Sequence, residues 1–176
     1  MANMTLSREG AMELIGHEGI VLDPYQDSVA VWTIGVGHTK PAGPPDPKSV
    51  TTPLTLKQCF ELFTKDAAKY AKAVNTAVKV DVSQTEFDAL VSFHYNTGGI
   101  ATASLVKSLN KGDRKKAAEQ FMNWKKPDGV VPRRKKEQTL FAKGTYSNGG
   151  KALVYPVKNK KPQFHKGKHI DLTNEV

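Results

Sequence analysis

From Leu56 to Val78 the side chains of Leu56, Phe60, Phe63, Ala67, Tyr70, Val74 and Val78 recur at helical spacing, and Thr55 with Gln58 forms a capping box ahead of them. A second box, Ser83 with Glu86, precedes Phe87, Leu90, Val91 and His94, and the chain is expected to turn at Asn96, Gly98 and Gly99. A shorter helix is expected from Ser7 to Ile15, with Ser7 as its N-cap and Ala11, Leu14 and Ile15 facing inward, ending before Gly16. Three more short helices are expected at about 103–110, 113–124 and 133–141, separated by Gly112 and the Pro127 to Pro132 turn. The period changes between Tyr25 and His38, where Val29, Val31, Trp32, Thr33, Ile34 and Val36 are strand formers interrupted by Gly35 and Gly37. That stretch predicts a small hairpin or meander, and Pro41 to Pro53, with five prolines, predicts an irregular loop. Beyond Thr145 the apolar period is lost among Gly, Pro, Asn and Lys. The pattern is that of an α+β protein, a small hairpin region followed by a helical body.

Composition narrows the class. A chain of 176 residues, 39% hydrophobic and 24% charged, can bury a continuous core as one domain with room for two lobes. Cys59 is the only cysteine, which excludes an intrachain disulfide, a CxxC redox motif and a thiolate zinc site. No apolar run has the length of a signal peptide core or a membrane span, so synthesis in a reducing cytoplasm is expected, with release depending on another protein. The net charge of +9 is unevenly spread. Residues 1–50 carry three basic groups against six acidic ones, whereas ten basic residues lie between Lys111 and Lys136 and seven lysines from Lys143 onward. Such a surface attracts polyanions, whether nucleic acid, anionic membrane or cell wall.

Glu18, Asp27 and Thr33 lie near the first helix and inside a segment that folds back on itself. Cleaving an acetal needs one carboxyl to protonate the leaving oxygen and one carboxylate to activate water or stabilise a cationic sugar, and Glu18 and Asp27 offer one candidate for each. The strings around them, His17-Glu18-Gly19, Tyr25-Gln26-Asp27 and Trp32-Thr33-Ile34-Gly35-Val36-Gly37-His38, closely resemble the signature of phage lysozymes and endolysins of glycoside hydrolase family 24, which includes the T-even phage lysozymes. The likeness continues in order through Gln84 to Gly98, Ser104-Leu105, Asn110-Lys111-Gly112, Phe121, Trp124, Gly129 and Arg133-Arg134 with Glu137, covering about residues 5 to 142.

This resemblance implies a lysozyme-like fold, with a small amino-terminal β-hairpin lobe (about 17–54) joined by a long helix (about 55–78) to a helical lobe (about 80–145) across a cleft. Residues 1–145 would form the catalytic domain, and 146–176 a basic carboxy-terminal extension carrying no family motif. The activity implied is endo-hydrolysis of the β-1,4 bond between N-acetylmuramic acid and N-acetylglucosamine in bacterial peptidoglycan, leading to host lysis. It would need no cofactor and would proceed with inversion. Carried over to this sequence, Glu18 is the general acid, Asp27 orients or activates water, and Thr33 helps hold that water or the sugar. Inversion requires carboxyl groups roughly 6.5 to 9.5 Å apart. Arg134 matches the arginine that pairs with the catalytic glutamate, and Asn96 matches an amide that can bind an N-acetyl group. A monomer is expected, held in the host cytoplasm until a separate membrane-permeabilising protein releases it to the wall, with electrostatic attraction to the anionic envelope.

Simpler roles stand beside these. His38 reads as a structural hydrogen-bonding group, since no HExxH or comparable histidine pair exists and no metal site is expected. Tyr25 and Trp32 either pack on sugars or belong to the core, and Asn96 can equally serve as a helix C-cap. A binding-only relative would be expected to lack Glu18, Asp27 or Thr33, and all three are present. Nucleic acid is not an expected partner, because no aromatic stacking residues interleave with the lysines.

Overall fold

The computed structural model describes residues 3–175, which form six α-helices, α1 (Arg8–Glu18), α2 (Leu56–Ala77), α3 (Gln84–Thr97), α4 (Ser104–Asn110), α5 (Arg114–Gln120) and α6 (Val131–Lys143). The strands are β1 (Val21–Gln26), β2 (Trp32–Gly35), β3 (His38–Thr39), β4 (Lys151–Val154), β5 (Val157–Lys158), β6 (Lys161–Pro162) and β7 (Lys168–Asp171). Met1, Ala2 and Val176, at the ends of the expected domains, lie outside the described residues. The chain divides into two compact units, and both boundaries near the amino-terminal side fall inside helices, α1 and α2.

One unit contains the described residues up to Ala11 together with Ala67–Ser147. Its central element is α3, where Phe87, Ala89, Leu90, Val91 and Phe93 are all buried. The start of α3 is set by the expected capping box: Ser83 accepts from the Glu86 N–H, Glu86 accepts from the Ser83 N–H, and Gly98 closes the helix in the left-handed conformation. Around Phe93 the rings of Phe121 and Trp124 stand edge-on, at centroid distances of 5.6 and 5.2 Å. Such T-shaped pairs add attraction beyond the area they bury.

The polar centre of this unit is an ion cluster. Arg134 on α6 is 0% exposed and Glu137 is 1% exposed. Arg134 donates to the Glu137 carboxylate and its guanidinium lies 5.4 Å from the Phe93 ring centroid. Glu137 also accepts from Ser92 Oγ at 2.6 Å and Arg133 Nε at 3.0 Å. Burial pushes the Glu137 carboxyl above its usual range, against the pull of Arg134 and Arg133. A second buried carboxylate, Asp88, ties α3 to both ends of the unit by accepting from the Ser7 N–H at 3.1 Å and the Tyr146 hydroxyl at 2.7 Å.

The other unit joins Met12–Asp66 to the chain from Asn148 onward. Its antiparallel sheet has the order β1-β2-β3, with Tyr25 opposite Thr33, Gln26 opposite Trp32 and Ile34 opposite His38. Register slips between Val21 and Tyr25, the stretch that holds Pro24. A proline cannot donate to a ladder, and strands accommodate one at an edge or an irregularity. β4 pairs with β7, and β5 with β6. Leu14, Ile15, Ile20, Ile34, Cys59 and Phe63 are buried here, joined by Ala152 and Leu172 from the carboxy-terminal stretch. The Thr55–Gln58 box opens α2 as expected, with reciprocal bonds of 2.9 and 3.1 Å. Burial pushes the Cys59 thiol up to about 12, which leaves it inert.

Glu137→Ala is expected to cost about 3–5 kcal/mol of stability in urea unfolding, because it strands the Arg134 guanidinium in the core. A loss below about 1 kcal/mol would show that the cluster does not carry that load.

Candidate active site

Glu18 is the last residue of α1 and is exposed. The helix was expected to stop before Gly16, yet it runs on through it. Gly16 serves packing here, since a Cβ at that position would come 2.1 Å from Asn148 Nδ2. The break falls instead at Gly19, whose φ of +78° suits glycine and whose N–H bonds the Ile15 carbonyl at 2.8 Å. A Cβ at Gly19 would meet the Tyr155 ring at 2.7 Å. The next residue, Ile20, donates to the Leu153 carbonyl and accepts from the Tyr155 N–H, both at 2.9 Å. The backbone two residues past Glu18 is therefore held at both its donor and its acceptor by a single stretch, Leu153 to Tyr155.

Asp27 follows β1 directly and is half-buried. Its Oδ1 accepts from the N–H groups of Val29 at 2.9 Å and Val31 at 2.8 Å, so the carboxylate caps the turn that leads into β2. The turn is closed by the Asp27 N–H bonding the Val31 carbonyl at 3.0 Å, and Ala30 within it sits at φ 64°. Oδ2 has no donor among the described residues. Thr33, only 4% exposed, lies in the middle strand and donates its hydroxyl to that same Val31 carbonyl at 3.1 Å. Its oxygen keeps lone pairs that can accept. Tyr25 stands opposite Thr33, and burial, aided by the nearby Asp27 charge, raises its phenol above the usual range and keeps it protonated.

His38 is 2% exposed and uses both ring nitrogens. Nε2 lies 2.9 Å from the Pro45 carbonyl and Nδ1 2.7 Å from Asp66 Oδ2. A carbonyl only accepts, so Nε2 donates to Pro45, while Nδ1 is turned to the Asp66 carboxyl group. The ring thus ties the end of the sheet to the Pro41–Pro53 loop and to α2. That loop contains two short 3-10 turns, at Lys40–Ala42 and Pro47–Ser49, the second capped by Asp46 accepting from the Lys48 N–H.

Asn96 and Arg134 belong to the helical unit, where the Arg134 guanidinium donates to the Asn96 side-chain oxygen. The cap of α3 is Gly98, so Asn96 lies inside the last turn, with its side-chain oxygen taken by the buried arginine. Among the described residues no group of three or more His, Cys, Asp or Glu side chains is placed to hold a metal. Asp66 and Tyr155 were absent from the sequence-derived site. Each meets its partner across a long separation, and no local pattern marks such a pairing.

The α+β fold and this arrangement define a lysozyme-like protein. The chain belongs to the Phage lysozyme family, whose pattern matches residues 15–137. It is 36% identical over 146 residues to the endolysin of Salmonella phage P22, covering 78% of this chain and 98% of that protein. It is also 36% identical over 154 residues to the endolysin of Bacillus phage PZA, covering 82% of this chain and 58% of that longer protein. The solved endolysin from Escherichia coli O157:H7 phage FAHEc1 superposes with a TM-score of 0.74 at 30% identity, over 83% of this chain and 98% of that one.

His38→Ala is expected to cost about 1–3 kcal/mol in chemical denaturation by leaving Asp66 and the Pro45 carbonyl without their donor. The pH dependence of activity should keep its shape; a lost limb in that profile would make His38 a participant in proton transfer.

Proposed function

We propose that this chain is an endolysin that hydrolyses the β-1,4 bond between N-acetylmuramic acid and N-acetylglucosamine in bacterial peptidoglycan, with Glu18 as general acid, Asp27 as the water-activating base and Thr33 as its partner. The observation that carries the assignment is the Asp27 turn: one carboxylate oxygen is locked by two backbone N–H groups while the other has no donor among the described residues, and the Thr33 hydroxyl is anchored to the same carbonyl that closes the turn. A base must be rigid and must keep an acceptor for the water proton. All three residues fall within the family match.

In the reaction, Glu18 gives its proton to the glycosidic oxygen as the bond to the anomeric carbon breaks. Water adds to that carbon from the opposite face and passes a proton to Asp27, and exchange with solvent restores both groups. The configuration inverts, because no covalent sugar intermediate forms. Tyr25, neutral and beside Asp27, contributes a ring edge and a hydroxyl to sugar binding. The spacing of Glu18, Asp27 and Thr33 also aligns the chain with the T-even group within the family. We place its action, as a monomer, at the wall after release from the host cytoplasm, assisted by its net charge of +9. Among the described residues no helix is long and apolar enough to cross a membrane.

Purified peptidoglycan digested by the wild type should yield fragments ending in reducible muramic acid, and nuclear magnetic resonance should show the α-anomer first. Anhydro ends would make it a lytic transglycosylase, and an initial β-anomer would overturn inversion. Glu18→Gln and Asp27→Asn, each close in shape to the native side chain, are expected to lower turnover by about 10²-fold or more while leaving the melting curve in place. Asp27→Asn keeps the Oδ1 acceptor of the turn, so its loss of activity reports on proton transfer. Thr33→Ala should fall between these variants and wild type.

A further inference from the structure

Residues 148–176 lie beyond the family match yet fold with residues 12–66, and they touch the candidate site at two places. The first is the pairing of β4 with Ile20, just past Glu18. The second is the β5–β6 hairpin, whose two-residue turn is Asn159-Lys160, with φ of 52° and 62°. Positive φ at both central residues is the requirement of the tight hairpin turn whose twist matches its strands. Asparagine tolerates that conformation, whereas lysine rarely adopts it, so Lys160 is held there by its surroundings.

Those surroundings belong to the Asp27 strand. The Lys160 carbonyl accepts from the Gln26 N–H at 2.8 Å, and its ammonium lies 5.6 Å from the Trp32 ring centroid. Lys161 Nζ donates to the Asp27 carbonyl at 2.9 Å and to the Gln26 carbonyl at 3.3 Å. The Asp27 carbonyl also accepts from the Ala30 N–H at 3.2 Å, within the turn that the carboxylate caps. The hairpin thus grips the main chain of the residue assigned as base, from the side opposite its β2 partner strand.

We propose that the hairpin 157–162 is a positioning element for catalysis, with Lys161 as the positioning residue that holds the Asp27 main chain and, through it, the carboxylate. This rests on the assignment of Asp27 under the proposed function. The lysine acts on backbone carbonyls and takes no part in bond making. Its removal lets the Asp27 turn drift, which lowers the rate of the chemical step while leaving binding intact.

The test is steady-state hydrolysis of soluble, uncrosslinked glycan strands by the full chain, followed by release of reducing ends, with thermal melting of each variant. Lys161→Ala should lower kcat about tenfold with KM within about twofold, and Lys161→Arg, which keeps N–H donors within reach, should restore most of the rate. Lys166→Ala removes an exposed charge of the same carboxy-terminal stretch outside the hairpin and should leave kcat unchanged. Asn159→Val, which disfavours the turn, should reproduce the kcat loss of Lys161→Ala. Wild-type kcat in both Lys161→Ala and Asn159→Val overturns the proposal, as does an equal loss in Lys166→Ala, which would signify a general charge effect. If Asp27→Asn retains activity, the assignment of the base fails instead; if it is inactive while Lys161→Ala is normal, only the positioning role fails.

Discussion

Everything in the candidate site hangs on how the short stretch between Gly19 and Asp27 is restrained. Its two ends are secured by main-chain hydrogen bonds to a segment far along the chain, Ile20 to Leu153 and Tyr155, and Gln26 to Lys160. Main-chain bonds of this kind are insensitive to side-chain identity and fix the backbone directly. Between the two anchors the strand carries an irregular register at Pro24, where a local ladder alone would be weak. The restraint from outside compensates for that weakness and makes a two-ended span of what would otherwise be an edge.

In the proposed reaction Asp27 serves architecture with one oxygen and chemistry with the other. Oδ1 belongs to the fold, because without it the N–H groups of Val29 and Val31 lose their acceptor. Oδ2, which has no donor among the described residues, is the oxygen that the proposed reaction uses. A turn-capping aspartate and a catalytic aspartate are often weighed as alternatives, but the capping bonds supply the rigidity that the proposed catalytic role needs. His38 illustrates the other outcome, a residue in a prominent motif whose two nitrogens are both consumed by structure.

The long periodic helices were legible because their information is local. Capping boxes at Thr55 and Ser83, and apolar side chains at helical spacing, sit within a few residues of the bonds they predict. The end of α1 was not legible, because Gly16 looks like a breaker until Asn148 is seen against it. The strands after Thr145 escaped for a related reason: their apolar residues, such as Ala152 and Leu172, are few and widely spaced, and the ordering comes from pairing with one another and with Ile20. In the site, Glu18, Asp27 and Thr33 could be picked out as a motif, while the capping bonds, the Asp66 partner of His38 and the lysines behind Asp27 are visible only in three dimensions.

The segment order of the unit that bears Glu18 and Asp27 has a consequence for biosynthesis. It is assembled from residues 12–66 and from the stretch beginning at Asn148, with the bulk of the helical unit encoded between them. During vectorial synthesis the helical stretch can emerge and pack from near-neighbour contacts, whereas the span from Gly19 to Asp27 waits for partners that the ribosome delivers much later. The strand that leads into Asp27 is therefore clamped only once the stretch from Asn148 onward has emerged, so that the residues proposed to carry the chemistry are ordered after the helices encoded between them.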